Sequence, residues 1–219
     1  MGLIDLSHVV EHGMTTYPGL PGPLVCDFLS RADSEAHYAP GTRFQIGKVE
    51  LVANTGTYVD APFHRWEEGA DLSELALERL ADLDALVLRH DPEAPPAIGP
   101  ELFRGQELRG RAVLVHTEWA RHWRSATYGA GGHPYLTAEA AELLVEARAA
   151  FVGIDSLNID DTGDGRRPVH TALLGAGIPI GEHFTNLGAL PAEGARLHAV
   201  PVKLRGMGTF PVRAYALAP

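Results

Sequence analysis

The chain has 219 residues, a length that predicts a single domain over 1–219. Apolar residues make up 45% and charged residues 21%, which excludes intrinsic disorder. Acids outnumber bases 28 to 18, a net charge of −10 that argues against nucleic acid or an anionic membrane as the main partner, because phosphate binding needs a basic stripe. The one cysteine, Cys26, allows no disulfide within the chain and suits a reducing compartment. Met1-Gly2-Leu3-Ile4-Asp5 reaches an acid at once, which predicts no signal peptide. No run nears the roughly 18 apolar residues of a membrane span, so a cytoplasmic protein is expected. Eleven histidines point weakly to metal or acid–base chemistry.

In chain order, Thr16–Pro23 is dense in Pro and Gly and predicts a loop. Phe44–Ala53 predicts a strand, with a phase shift near Gly47 that implies a bulge. Asp71, with Glu74 as reciprocal partner, predicts the cap of a short helix whose apolar face is Leu72, Leu75, Leu77 and Leu80. Ala85–Leu88 and Ala112–Val115 predict buried strands, and the proline-rich Asp91–Pro100 a connection. Thr137 predicts the cap of a helix running to Arg148, acidic early and basic late as the macrodipole prefers. A strand over Phe151–Asp155 would complete a βαβ unit. Val200–Leu204 and Val212–Leu217 predict a closing antiparallel pair.

Two clusters can carry chemistry. In Asn54-Thr55-Gly56-Thr57-Tyr58-Val59-Asp60-Ala61-Pro62-Phe63-His64, Gly56 allows a tight turn and Pro62 stiffens the backbone between Asp60 and His64. Such a loop can aim a carboxylate and an imidazole at one point; it also reads as a turn with a capping Asp and a surface His. The second cluster is His170 followed by Gly175 to Asn186, in which Glu182 has Ile178, Ile180, Phe184 and Leu187 around it. A carboxylate in such surroundings is paired, metal-bound or neutral; Asn186 is a candidate partner. The Gly175-Ala176-Gly177 stretch lacks the third glycine of a dinucleotide fingerprint. The run Asp160-Asp161-Thr162-Gly163-Asp164-Gly165 lacks the final Glu of a calcium loop and reads as a solvated turn.

The chain resembles the cyclase family, which includes bacterial kynurenine formamidase and isatin hydrolase. Members carry His-x-Gly-Thr-His-x-Asp-x-Pro-x-His; here Gly56, Thr57, Asp60, Pro62 and His64 match, and Asn54 and Tyr58 stand in place of the first two histidines. The likeness extends to Asp5-Leu6-Ser7-His8, Tyr17-Pro18-Gly19, Val152-Gly153-Ile154-Asp155, the pair His170 and Glu182, and the stretches Pro201–Leu204 and Pro211–Ala214. The resemblance implies an α/β protein of the swivelling β/β/α cyclase-like fold, with a mixed sheet or half-barrel flanked by helices. It implies a metal-dependent hydrolase of a C–N bond in a small amide, formamide or cyclic imide, acting as a homodimer or homotetramer. By the same resemblance Asp60, His170 and Glu182 hold metal and His64 is the acid–base; at the two departures, Asn54 is a candidate added ligand and Tyr58 a candidate catalytic partner of His64. Tyr17, Phe63, Trp66 and Trp119 would together form an aromatic wall against a planar substrate, the alternative being ordinary packing.

Replacing two imidazoles by an amide and a phenol leaves too few nitrogen ligands for two zinc ions. One divalent ion, Mn or Zn, held by Asp60, His170 and Glu182 with Asn54, is therefore expected; compensation by His183 or His37 is a separate outcome. The alternatives are a metal-free lyase or cyclase using Tyr58 and His64, and a silent protein that binds a small ligand on the same scaffold.

Overall fold

The computed structural model describes residues 2–219. Its strands, in chain order, are β1 (Gly2–Asp5), β2 (Leu24–Leu29), β3 (Ile46–Glu50), β4 (Tyr58–Asp60), β5 (Leu83–Arg89), β6 (Ala97–Ile98), β7 (Ala112–His116), β8 (Tyr135–Leu136), β9 (Phe151–Ile154), β10 (Ile180–Glu182), β11 (Ala195–His198), β12 (Thr209–Pro211) and β13 (Tyr215–Ala218). The helices are α1 (Arg31–Ser34), α2 (Ala138–Glu146) and α3 (Pro168–Gly175). A nine-stranded mixed sheet, in the order β1-β13-β11-β5-β7-β9-β10-β4-β12, curls into a half-barrel. The strands from β5 through β7 and β9 to β10 run parallel; the others pair antiparallel. This is the α/β, mixed-sheet half-barrel expected from the sequence.

The parallel strands are short apolar runs because both of their faces are covered. Leu86, Leu88, Val113, Val115, Val152 and Ile154 point to one face and pack with Ala140, Ala141 and Leu144 of α2 and Val169 and Leu173 of α3. The alternate residues Ala85, Val87, Ala112, Leu114 and Phe151 face Phe184, Leu187, Leu197 and Ala216. Gly153 and Gly181 leave room for the Phe184 ring: a Cβ on Gly153 would lie 2.7 Å from it, and one on Gly181 would lie 2.7 Å from Phe151.

The expected βαβ unit forms as β7, α2 and β9, and the Thr137 hydroxyl accepts from the Ala140 amide as its cap. Other expectations are corrected. Asp71 and Glu74 make their reciprocal contact, with the Asp71 amide 3.3 Å from Glu74 Oε2, yet no α-helix follows. Tertiary bonds win there: Asp71 Oδ2 accepts from the Gly206 amide at 2.6 Å, the Leu72 amide donates to Met207, and Leu77 stays 62% exposed. The closing hairpin is also absent. Residues 200–204 form no strand; β12 pairs with β4, and β13 lies between β1 and β11. Pro211, which lacks an amide hydrogen, fits at the sheet edge. The expected 44–53 strand is confined to β3, and its irregularity lies on the partner strand, between Asp27 and Leu29 of β2.

Candidate functional site

Strand register builds the floor of the site. In β4, Tyr58 and Asp60 share one face while Val59 faces the core. Glu182 of β10 pairs with Tyr58, and Thr209 of β12 pairs with Asp60. The facing side chains meet: the Tyr58 hydroxyl donates to Glu182 Oε2, and the Thr209 hydroxyl donates to Asp60 Oδ1. The turn Pro62–His64 follows β4 and sets His64 Nδ1 2.8 Å from Thr209 Oγ1 and 3.8 Å from Asp60 Oδ1.

The second cluster arrives on α3. Asp160, buried in the connection after β9, accepts from the Val169 amide at 2.7 Å, the His170 amide at 3.1 Å and His170 Nδ1 at 2.6 Å. It caps the helix and fixes the imidazole with one group. His170 Nε2 then points at two carboxylates, 3.6 Å from Asp60 Oδ2 and 3.8 Å from Glu182 Oε1. Asp60 Oδ2 is buried and has no hydrogen-bond partner.

Charge in this floor is tightly balanced. Burial alone would lower the His170 pKa, but Asp160, Asp60 and Glu182 outweigh it and hold the imidazole up at about 10. Burial pushes the Glu182 carboxyl up to about 7, with His170 pulling it down and Asp60 pushing it higher. Burial and then the Glu182 charge raise the Tyr58 hydroxyl well above its ordinary value. Tyr58 is therefore a neutral phenol at neutral pH, a hydrogen-bond donor and no phenolate ligand.

Above the floor is a cavity of about 250 Å³, whose lining includes Tyr17, Asn54, His64, Asn158, His170 and Glu182. Tyr17 is held by its hydroxyl, which donates to the Leu157 carbonyl at 2.6 Å and accepts from Asn158 Nδ2 at 2.6 Å. Phe63 and Trp66 are not among the lining residues. The Trp66 indole lies instead against Gly175, in a separate hollow with Pro62 and Gly177. His183 is buried among the rings of Tyr17, Tyr58, Trp123 and Tyr128, its Nδ1 2.7 Å from the Tyr128 hydroxyl. His37 lies in the exposed turn Glu35–His37. Asn186 bonds the Asp5 carbonyl, and Glu182 takes the Ile159 amide at 2.6 Å in its stead.

A divalent ion needs closely spaced donors. Metal–ligand bonds of about 2.1 Å put neighbouring donors of a tetrahedral ion roughly 3.4 Å apart. Ligand atoms of Asp60, His64 and His170 all lie within 4.8 Å of one another. The unpartnered Asp60 oxygen and the oriented His170 Nε2 form a donor pair that an ion would satisfy, so the residues fit.

A family model described as "Putative cyclase" matches residues 4–161. The chain belongs to the cyclase family. Two relatives span almost the same length. One is a kynurenine formamidase of Salinibacter ruber, 26% identical over 98% of this chain and 96% of its own. The other is a kynurenine formamidase of Geobacillus thermodenitrificans, 25% identical over 96% of this chain and 95% of its own. Among solved structures, an isatin hydrolase bound to the product analogue thioisatinate superposes with a TM-score of 0.85 at 24% identity, over 99% of this chain and 92% of that one. Isatin hydrolase A from Labrenzia aggregata, bound to benzyl benzoate, gives 0.82 at 24% identity, over 99% and 93%. These likenesses show that this cyclase-family chain shares their fold.

Sequence reasoning missed Asp160, Thr209 and Asn158. Asp160 stands in the run read as a solvated turn, a reading that fits only the residues after it. Asp160 is fully buried, while Asp161 takes the Gly163 amide within that turn. A carboxylate directly after the apolar Ile159 was the available signal.

Proposed function

We infer that this cyclase-family protein is a hydrolase of a C–N bond in a small amide, formamide or cyclic imide, using one divalent ion, Mn or Zn. The buried, partnerless oxygen of Asp60 opposite an imidazole fixed by Asp160 carries the reading. Asp60 and His170 would hold the ion, with Glu182 and the cavity-lining Asn54 completing the donors. When bound, the ion supplies Lewis acidity to water and to a carbonyl.

The chain's own groups supply positioning and proton transfer. Asp160 holds a proton on His170 Nδ1, so Nε2 is the nitrogen that would yield its proton, and turn its lone pair, to an incoming ion. Thr209 links Asp60 Oδ1 to His64 Nδ1, which leaves His64 Nε2 for the substrate side. At a part-exposed position His64 can take a proton from water and hand it to the leaving nitrogen as the C–N bond breaks. Tyr58 holds Glu182 in place, and Tyr17 walls the cavity. The small cavity fits a compact ligand and excludes a folded polymer.

A second reading, in which His64 is itself a ligand, is supported by its grouping with Asp60 and His170, whose ligand atoms lie within 4.8 Å of one another. The test is metal content by mass spectrometry together with turnover of a small aryl formamide. Asp60→Ala is expected to lose the ion and the activity. His64→Gln is expected to keep the ion and lose turnover; loss of the ion would favour the second reading. A metal-free preparation that still cleaves the formamide would overturn both in favour of metal-free acid–base chemistry through Tyr58 and His64. Metal-free, inactive protein that still binds small aromatics would make it a binding protein.

We further propose a single cytoplasmic domain that forms a homodimer or homotetramer. Exposed apolar residues on the β2–β3 hairpin, Val25, Phe28, Ile46 and Val49, support self-association, and sedimentation would read it. Among the described residues no helix is long and apolar enough to cross a membrane.

A further inference from the structure

The cavity has a second chemical character beyond its acidic floor. Arg65 and Arg167 both line it. Among the described residues, neither guanidinium forms an ion pair with a carboxylate. Asp164, which feels the Arg167 charge, is taken up by Arg166 at 2.8 Å. Two cations without an ion-pair contact thus line one cavity in a protein whose net charge is −10.

Both side chains are held by neutral acceptors. Arg167 Nη1 donates to Asn158 Oδ1 at 3.1 Å, and Asn158 in turn donates to Tyr17. Arg65 Nε donates to Thr171 Oγ1 at 3.1 Å, and its guanidinium lies 4.5 Å from the Trp66 ring centroid. Each contact engages a single nitrogen and leaves the rest of the planar fork available. Arg167 also occupies a left-handed backbone conformation, φ 51° and ψ 60°, that suits glycine or asparagine far better. The helix N-terminus beside it is not the anion site, since its amides are already given to Asp160.

We propose that Arg65 and Arg167 form a carboxylate-recognition rim, so that the substrate is a compact amide or formamide that also carries a carboxylate. The proposal rests on the hydrolase reading for the reacting bond, and adds the anionic group. A planar guanidinium fork matches a carboxylate in geometry and charge, and the rim and the floor border one small cavity. A single small molecule can therefore meet both, with its carboxylate at the rim and its amide carbonyl at the floor. Trp66 then acts outside the cavity, as a platform that holds Arg65 in place.

The test is calorimetric binding of benzoate against benzamide to metal-loaded protein, with wild type, Arg167→Gln, Arg65→Gln and Arg167→Lys. Wild type should bind benzoate at least about tenfold tighter than benzamide, as charge-assisted bonds imply. Arg167→Gln should abolish that preference, with benzoate affinity falling to about that of benzamide. Arg65→Gln should weaken it, and Arg167→Lys should restore it only in part. Equal affinities in wild type, or a benzoate preference that survives both glutamine variants, would overturn the proposal; the latter result would place benzoate on the metal. Hydrolysis of 3-formamidobenzoate and of uncharged 3-formamidobenzamide separates the two levels. Benzoate binding through Arg167 without hydrolysis of either compound sinks the hydrolase reading and leaves the rim. Equal kcat/KM for both compounds sinks the rim and leaves the hydrolase.

Discussion

Asp160→Asn should damage the site more than its size suggests. The wild-type carboxylate accepts from two amides and from His170 Nδ1, the last at 2.6 Å. An asparagine oxygen can still serve the Val169 amide, but its NH2 group then faces two donors. The imidazole has one escape: Nδ1 gives up its proton and accepts from the new NH2, and the proton moves to Nε2. The His170 amide keeps no acceptor. One lost charge-assisted bond is worth about 1.5–3 kcal/mol and one orphaned buried amide about 1–3 kcal/mol, so destabilisation of about 3–5 kcal/mol is expected. For a chain of this size that lowers Tm by about 6–20 °C. The wild-type Nε2 can yield its proton to an ion while Nδ1 keeps its own on Asp160, whereas the variant makes Nδ1 the acceptor and holds the proton on Nε2, so zinc or manganese affinity should fall about 10- to 100-fold, or about 1.4–2.8 kcal/mol. Calorimetric metal titration at a temperature well below both melting points reads the second effect apart from the first. A folded Asn variant that binds metal as tightly as wild type would refute the assignment of His170 as a ligand oriented by Asp160.

Gly208→Ala should disturb the site from outside it: a Cβ there would lie 2.5 Å from His64 Cα, and backbone cannot rotate away as a side chain can. Turnover is expected to fall at least about tenfold with the overall fold retained by circular dichroism, since small displacements of reacting groups are costly. His8 gives a pH signature. Its ring stacks on Trp123 at 4.0 Å and burial lowers its pKa to about 4. The folded value lies below the unfolded one of roughly 6.5, so the unfolded chain binds more protons between those limits. This contribution is complete above about pH 6.5 and is lost as pH falls through about 4. Urea unfolding of wild type should lose about 2 kcal/mol more than His8→Gln across that window. Identical slopes would mean that folding leaves the His8 pKa where it is in the unfolded chain.

The parallel core was legible because its evidence is local. Runs such as Ala112–Val115 and Phe151–Ile154 are apolar on both faces, and Thr137 announces the helix between them. The Asp71–Glu74 pattern was equally legible and misled, because a cap signal says nothing of the Gly206 amide that claims the same carboxylate from far along the chain. The closing strands were misplaced for a similar reason: alternation marks a segment able to pair, and only competition among edges decides its partner.

For the site, sequence alone determined the chemical inventory: an Asp and a His held close by a proline-stiffened turn, and a second His and Glu with an apolar surround. It also determined that an amide and a phenol occupy the places of two imidazoles. Tertiary structure decided which atoms face which. Cross-strand register set Tyr58 against Glu182 and Thr209 against Asp60, helix docking aimed His170 between the carboxylates, and chain path carried Trp66 out of the cavity and Arg167 into it. The physical reason is that side-chain identity fixes what a group can donate, accept or ionise. Distance, burial and neighbouring charge, which set whether it does so, come from segments the chain brings together only on folding.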